Sequence, residues 1–99
     1  MLLNESAIND YQNYGVTILR NIIPNEWIKK LQIGVIKNFK NPSKYKCVYE
    51  KNNGKELFYD DYCNWQHIIE YKQFFLNSGV AKIVSLLMKS KKVNIFHEH

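Results

Sequence analysis

The stretch Tyr14–Phe39, YGVTILRNIIPNEWIKKLQIGVIKNF, decides the fold of this chain. Val16–Arg20 is apolar enough on both faces to predict a covered strand. Pro24 then suits the first turn of a helix, because an N–H at that position would have no partner in any case. The apolar stripe of this helix recurs at helical spacing and consists of Ile28, Leu31, Val35 and Phe39. A strand followed by an amphipathic helix indicates a fold but no activity.

The segments around this stretch predict three more elements. Asn4 is a good N-cap for a short helix over Glu5–Asn13. Lys44–Glu50 and Leu57–Tyr59 predict the two strands of a hairpin, since residues 52–54 read Asn-Asn-Gly and supply turn chemistry. Residues 60–75 carry large apolar side chains that indicate one or two helical turns.

The C-terminal third predicts a helix and a strand. Ser78 is an N-cap for a helix that runs through Met88 with a wide apolar face. The lysines that follow stand where the helix dipole favours cations, so they need no anionic partner. Val93–His99 then alternates in polarity as a strand does.

Length and charge limit the classes of function that this chain can have. With 99 residues the chain forms a single domain, 1–99, with a modest core. The net charge is +5, but lysine carries almost all of it and Arg20 is the one arginine. Nucleic-acid sites favour arginine for bidentate contacts. We therefore expect no nucleic-acid partner and interpret the lysines as a solvated surface.

Cysteine usage and hydropathy indicate the compartment. Cys47 and Cys63 form no CxxC motif and have no histidine at zinc-finger spacing. No apolar run approaches the ~20 residues of a membrane span, and the N-terminus carries no signal-peptide pattern. We therefore expect a cytoplasmic protein with free thiols and no membrane contact.

The most suggestive local group is His97-Glu98-His99. On a strand, two histidines two residues apart point to the same side and can donate to one metal ion, whereas Glu98 points to the opposite face. Two neighbouring ligands do not complete a metal site. We therefore favour a frayed polar terminus or pocket-wall histidines, and predict no catalytic, cofactor-binding or metal-binding residue in this chain. For Asp60 and Asp61, a turn or capping role is favoured over acid–base catalysis.

Phe74–His99, FFLNSGVAKIVSLLMKSKKVNIFHEH, resembles the phytanoyl-CoA dioxygenase family of Fe(II)- and 2-oxoglutarate-dependent oxygenases. The features that match the family, in order, are Phe75, Ser78, Ala81–Ile83, Leu87-Met88, Ser90–Lys92 and Val93–His99. Upstream, Trp65 and the opening stretch match as well, so the resemblance covers roughly Tyr11–His99. Two local departures are Gly79, where the family usually has proline, and Lys89, where it usually has glycine.

The resemblance implies an α+β fold made of N-terminal helices and the first strands of a double-stranded β-helix, an incomplete jelly-roll or cupin-like barrel. In the family, the iron ligands and the basic residues that hold 2-oxoglutarate lie beyond the strand that ends in His-Glu-His. His97 and His99 are therefore not the iron-binding His-x-Asp pair. They would line the pocket for cosubstrate and substrate.

The implied function is that of the N-terminal portion of a dioxygenase that hydroxylates a small organic substrate. Fe(II) and 2-oxoglutarate are expected for the complete enzyme, neither is expected to bind this chain tightly, and the chain alone is expected to be inactive. Unpaired edges at Val16–Arg20 and Val93–His99 predict self-association. The alternative is a small complete protein without catalysis, either a lysine-rich interaction module or a histidine-based metal-binding module.

Overall fold

The computed structural model describes residues 3–99, which form four helices and one hairpin. In chain order, the elements are α1 Glu5–Tyr14, α2 Asn25–Lys40, β1 Cys47–Lys51, β2 Glu56–Asp60, α3 Ile69–Asn77 and α4 Val80–Met88. This combination of helices with an antiparallel sheet confirms the α+β class. The predicted domain 1–99 also includes residues 1 and 2, which lie outside the described residues.

Helix α1 begins where the sequence predicts. Oδ1 of Asn4 accepts a hydrogen bond from the N–H of Ala7 at 2.8 Å, which satisfies one of the amides that a helix leaves free at its start. Gly15 ends the helix at a φ of 74°, a conformation that glycine adopts without strain. Nε2 of Gln12 donates to the carbonyl of Leu87 at 2.7 Å, so α1 is joined to the end of α4.

The predicted hairpin is confirmed with slightly different bounds. β1 and β2 pair antiparallel, with Cys47 opposite Asp60. Residues 52–54 all have positive φ, as a tight turn of asparagine and glycine allows. The ring of Tyr59 packs against that of Phe39 with centroids 4.3 Å apart, which attaches the hairpin to the last turns of α2.

Two predicted strands do not form within the described residues. Val16–Arg20 and Val93–His99 are both irregular, and neither pairs with another strand. An extended backbone becomes a strand only when a neighbour accepts and donates its hydrogen bonds, and an apolar sequence does not supply that neighbour. These two strand predictions are therefore wrong. That these two segments make the chain self-associate stays a prediction.

The junction between α3 and α4 also differs from prediction. Ser78 ends α3, and the residue before α4 is Gly79, at a φ of 85°. The hydroxyl of Ser78 donates to the carbonyl of Phe74 and accepts from the N–H of Val80 at 3.2 Å. Ser78 thus makes one hydrogen bond to each helix. Gly79, in the left-handed conformation, redirects the chain from α3 into α4.

Helix α2 packs on α3 at Gly34. A Cβ added at Gly34 would lie 2.7 Å from Cε1 of Tyr71 and 3.2 Å from Cβ of Glu70. This close approach explains a glycine that costs about 1 kcal/mol relative to alanine in a helix interior. On the same side, Lys37 pairs with Glu70, and this hydrogen bond lowers the pKa of Glu70 below its ordinary 4.5 against the opposing effect of burial.

The packed face of α2 is not its apolar stripe. Val35 lies about 100° around the helix axis from Gly34, because successive residues are separated by 100°. The stripe residues Ile28, Val35 and Phe39 are between 43% and 53% exposed. The stripe that the sequence predicts as buried is therefore about half uncovered.

The core is small for a chain of this length. The buried apolar residues are Ala7, Ile68 and Ile83. The accessible surface is 7962 Å², whereas a compact protein of this mass exposes about 5,900 Å². The radius of gyration is 16.3 Å, whereas a compact domain of this length has about 13 Å. Much apolar surface consequently lies on the outside of the described residues.

We predict that Gly34→Ala destabilises the chain by about 1–3 kcal/mol, because the new methyl overlaps the ring of Tyr71. Urea unfolding measures the change. In a Tyr71→Val background the same substitution should cost much less, so the two changes are not additive. A Gly34→Ala variant that is more stable by about 1 kcal/mol, as at an open helix position, would contradict this packing.

Candidate functional site

A cavity of about 300 Å³ lies between α2, α3 and the C-terminal segment. Its apolar walls come from Leu31, Val35, Phe74 and Phe75. Its polar groups come from Asn38, Asp61, Tyr71, Glu98 and His99. Another groove, of about 380 Å³, lies between α1 and residues 17–22, but it contains none of the predicted site residues. The first cavity is therefore the candidate site.

Asn64 holds the C-terminal segment against the end of α2. Its side-chain amide donates to Oδ1 of Asn38 and to the carbonyl of Asn41 at 3.0 Å. Its backbone N–H donates to Oε1 of Glu98, and the N–H of Cys63 donates to the Glu98 carbonyl at 3.2 Å. Asn64 is only 2% exposed, so water does not compete for these bonds. Glu98 is thereby held at the cavity by both its backbone and its side chain.

The carboxylate of Glu98 is only partly satisfied. Oε1 accepts the bond from Asn64, but Oε2 is buried and has no hydrogen-bond partner within the described residues. A buried carboxylate oxygen without a donor costs free energy. A positive charge close by would offset part of that cost.

Asp61 adds a second carboxylate. The N–H of Ser43 donates to Oδ2 at 2.9 Å, the Ser43 hydroxyl donates to Oδ1, and the N–H of Tyr62 donates to Oδ1 at 2.9 Å. Burial alone would raise the pKa of Asp61, but these hydrogen bonds outweigh burial and lower the pKa below its ordinary 3.8. Asp61 is therefore ionised at neutral pH and joins the loop after α2 to the segment after the hairpin.

Tyr71 responds to the sign of the local potential. Burial raises the pKa of its hydroxyl above the ordinary 10.0, and the charges of Glu98 and Asp61 raise it further. Negative neighbours disfavour the phenolate, so both causes act in one direction. Two carboxylates, of Glu98 and Asp61, thus line one cavity with Tyr71 in a chain whose net charge is +5.

The two predicted wall histidines lie in different surroundings. His99 lines the cavity, and its Nε2 pairs with Oδ1 of Asp60. His97 is exposed and is not among the residues that line this cavity; its ring centroid lies 6.0 Å from that of Tyr62. The ring centroids of the two histidines are 6.2 Å apart. That they line a substrate pocket stays a prediction. Asp60 pairs with His99, whereas Asp61 accepts hydrogen bonds from Ser43 and Tyr62.

Metal-binding chemistry finds little support in residues 3–99. No group of three or more His, Cys, Asp or Glu side chains comes together there in a way that could hold a metal ion. Cys47 and Cys63 are free thiols, and both are exposed rather than packed. In the same part of the chain, every helix is too short or too polar to cross a membrane.

Sequence reasoning missed the residue that builds the site. Asn64 is a single asparagine in no recognisable motif, and its partners Asn38 and Glu98 lie 26 and 34 residues away in the chain. No local pattern signals such a contact. The alternation of a strand predicts only that Glu98 points away from the two histidines. It does not indicate that Glu98 bonds Asn64.

Comparison with known proteins returns no match, whether with protein-family models, with curated proteins or with solved structures. The resemblance to the oxygenase family therefore stays a prediction.

We predict that Ser43→Ala lowers the free energy of unfolding at pH 7 by about 1–2 kcal/mol, because Asp61 loses a hydroxyl donor. The folded pKa of Asp61 is depressed, so its contribution is present above pH 3.8 and is lost as the pH falls through the folded pKa. The difference between variant and wild type should accordingly shrink in acid. Denaturant unfolding at several pH values measures it.

The matched control is Ser85→Ala, whose hydroxyl bonds an exposed carbonyl within its own helix. Its effect should be small and independent of pH. A Ser43→Ala cost that does not shrink at any pH below 3.8 would contradict the role assigned to Asp61.

Proposed function

We propose that this chain is the N-terminal portion of a phytanoyl-CoA-dioxygenase-like enzyme, Fe(II)- and 2-oxoglutarate-dependent, that hydroxylates a small organic substrate in the cytoplasm. The observation that carries the proposal is the half-uncovered apolar stripe of α2. In a jelly-roll oxygenase, such a helix would support the barrel from outside, and its stripe would face strands that residues 3–99 do not contain. Burial of the stripe against such strands would stabilise the folded protein by about 25 cal/mol per Å² of apolar surface.

The turn after α4 supports the resemblance. Lys89 stands where the family usually has glycine, and its backbone is left-handed, with φ 51° and ψ 40°. Glycine occupies that region without strain, whereas other residues do so at a cost. A left-handed backbone at the position where the family usually has glycine supports the proposed resemblance.

The junction before α4 agrees less well. Gly79 stands where the family usually has proline, but its φ is 85°, and the proline ring holds φ near about −65°. A relative with proline must enter this helix by a different turn. The backbone geometry therefore supports the resemblance at the end of α4 but not at its start.

The residues described here do not fit an iron site, since no three potential ligands converge among them. In this proposal, Fe(II) is held by a 2-His-1-carboxylate triad from another part of the enzyme, with positions left open for cosubstrate and oxygen. His97 and His99 contribute wall surface near the substrate. No nucleic acid or membrane partner is involved. No contact within residues 3–99 favours the alternative of a lysine-rich interaction module or a histidine-based metal-binding module.

We predict that the 99-residue chain, supplied with Fe(II), 2-oxoglutarate and ascorbate, forms no succinate, because the triad lies elsewhere. Succinate is measured by mass spectrometry against a reaction without protein. Clear succinate formation by this chain would contradict the proposal that the iron-binding triad lies elsewhere. The coding DNA past His99 tests the proposal itself: a continuing frame with a lysine and then His-x-Asp supports it, and a stop codon followed by unrelated sequence contradicts it.

We predict that Ile28→Gln changes the free energy of unfolding by less than about 0.5 kcal/mol but reduces self-association, because Ile28 is 43% exposed. Leu31→Gln is the control, since Leu31 is half-buried at the cavity and should cost more stability. Sedimentation velocity and urea unfolding measure the two effects. A large loss of stability in Ile28→Gln would show that the stripe is already covered.

A further inference from the structure

We infer that the cavity between α2, α3 and the C-terminal segment binds a small organic cation, an ammonium group carried on an aromatic or aliphatic body. The inference rests on the shape and charge of the cavity alone. It holds whether or not the chain belongs to an oxygenase.

The size and walls of the cavity suit a small apolar body. Its volume of about 300 Å³ lies at the lower end of the range for ligand pockets, about 300–1,000 Å³. Leu31 and Val35 form one side, on α2, and Phe74 and Phe75 form the other, on α3. The ring centroids of the two phenylalanines are 6.0 Å apart. A single six-membered ring with a short side chain fits such a space.

The charges around the cavity select a cation. Glu98 and Asp61 line it as carboxylates, and among the described residues that line it His99 is the one basic side chain. His99 is already paired with Asp60. The charges on the wall are therefore not balanced within the cavity, and the raised pKa of Tyr71 agrees with a negative potential there.

The unsatisfied carboxylate of Glu98 is the strongest attraction. Because Oε2 is buried, an ammonium group in the cavity acts on it across a wall of low dielectric, where Coulomb interactions are stronger than in water. The rings of Tyr71, Phe74 and Phe75 line the same cavity, and a cation that lies over a ring face is attracted by the quadrupole of the ring. An anion of equal size meets repulsion from the carboxylates and gains nothing from the rings.

Three probes of one shape test this inference on the full chain: 2-phenylethylammonium, 2-phenylethanol and phenylacetate. NMR titration gives each dissociation constant and locates the shifted residues. We expect the ammonium probe to bind about tenfold more tightly than the alcohol and the alcohol more tightly than the carboxylate. The shifts should cluster at Leu31, Val35, Phe74 and Phe75.

Glu98→Gln removes the charge while it keeps an oxygen to accept the Asn64 N–H. This variant should lose most of the tenfold preference for the ammonium probe and keep its affinity for the alcohol. Glu56→Gln, on the exposed hairpin, is the matched control and should change neither. Val35→Trp, at a half-exposed position, should fill the cavity and abolish binding of both probes without relying on the Asn64 contact.

Each contrary outcome would overturn the inference. These outcomes are phenylacetate binding as tightly as the ammonium probe, a preference that survives Glu98→Gln, binding that survives Val35→Trp, or no saturable shifts with any probe. Circular dichroism of each variant establishes that it is folded before titration.

Discussion

The buried amide of Asn64 is the contact on which the rest of this structure depends. It joins three segments that are distant in sequence: the end of α2, the segment after the hairpin, and the C-terminal residues. The apolar core is small, so this polar contact carries an unusual share of the tertiary organisation. Such contacts are directional, and removing one partner leaves the others buried and unsatisfied. This contact holds Glu98, one of the residues that line the cavity, next to the end of α2.

Helix α2 shows how one element can serve two neighbours. Gly34 permits Tyr71 and Glu70 of α3 to approach closely, and the stripe residues Leu31 and Val35 line the cavity beside that contact. The stripe is therefore turned towards the cavity and the solvent. An uncovered apolar face is a surface that other residues or a partner could cover. It is compatible with the oxygenase proposal, whose family assignment depends on the resemblance of Phe74–His99.

Elements with local signals could be predicted from the sequence. The cap at Asn4, the turn of residues 52–54 and the 3.6-residue period of α2 each depend on neighbours within a few positions, and each occurs as predicted. One local prediction failed, because Ser78 ends α3 and Gly79 precedes α4. The other failures involve distant partners. Val16–Arg20 has the composition of a strand but no strand beside it, and Asn64 has no signature at all.

The candidate site could be predicted only in part. The C-terminal His-Glu-His segment has two histidines at a spacing that would let both reach one metal ion, and His99 does lie at the cavity. The distinguishing group is instead Glu98, whose backbone and side chain are both tied down. Its role depends on how the chain folds back on residues 63 and 64, and no periodicity encodes that. Net charge also gives no indication of the site, because two carboxylates line the cavity of this basic chain.

The hairpin turn has a chemical consequence for the lifetime of the folded chain. Asn53 and Gly54 are adjacent at the exposed tip, and glycine offers no side chain to hinder attack of its nitrogen on the asparagine amide. That attack expels ammonia, and the ring that results opens mainly to isoaspartate, which lengthens the main chain by a methylene and adds a negative charge. A tight turn cannot absorb the extra atom, and this two-stranded sheet has no third strand to preserve its register. Ageing in solution should therefore unpair the hairpin first, while the helices joined through Asn64 persist.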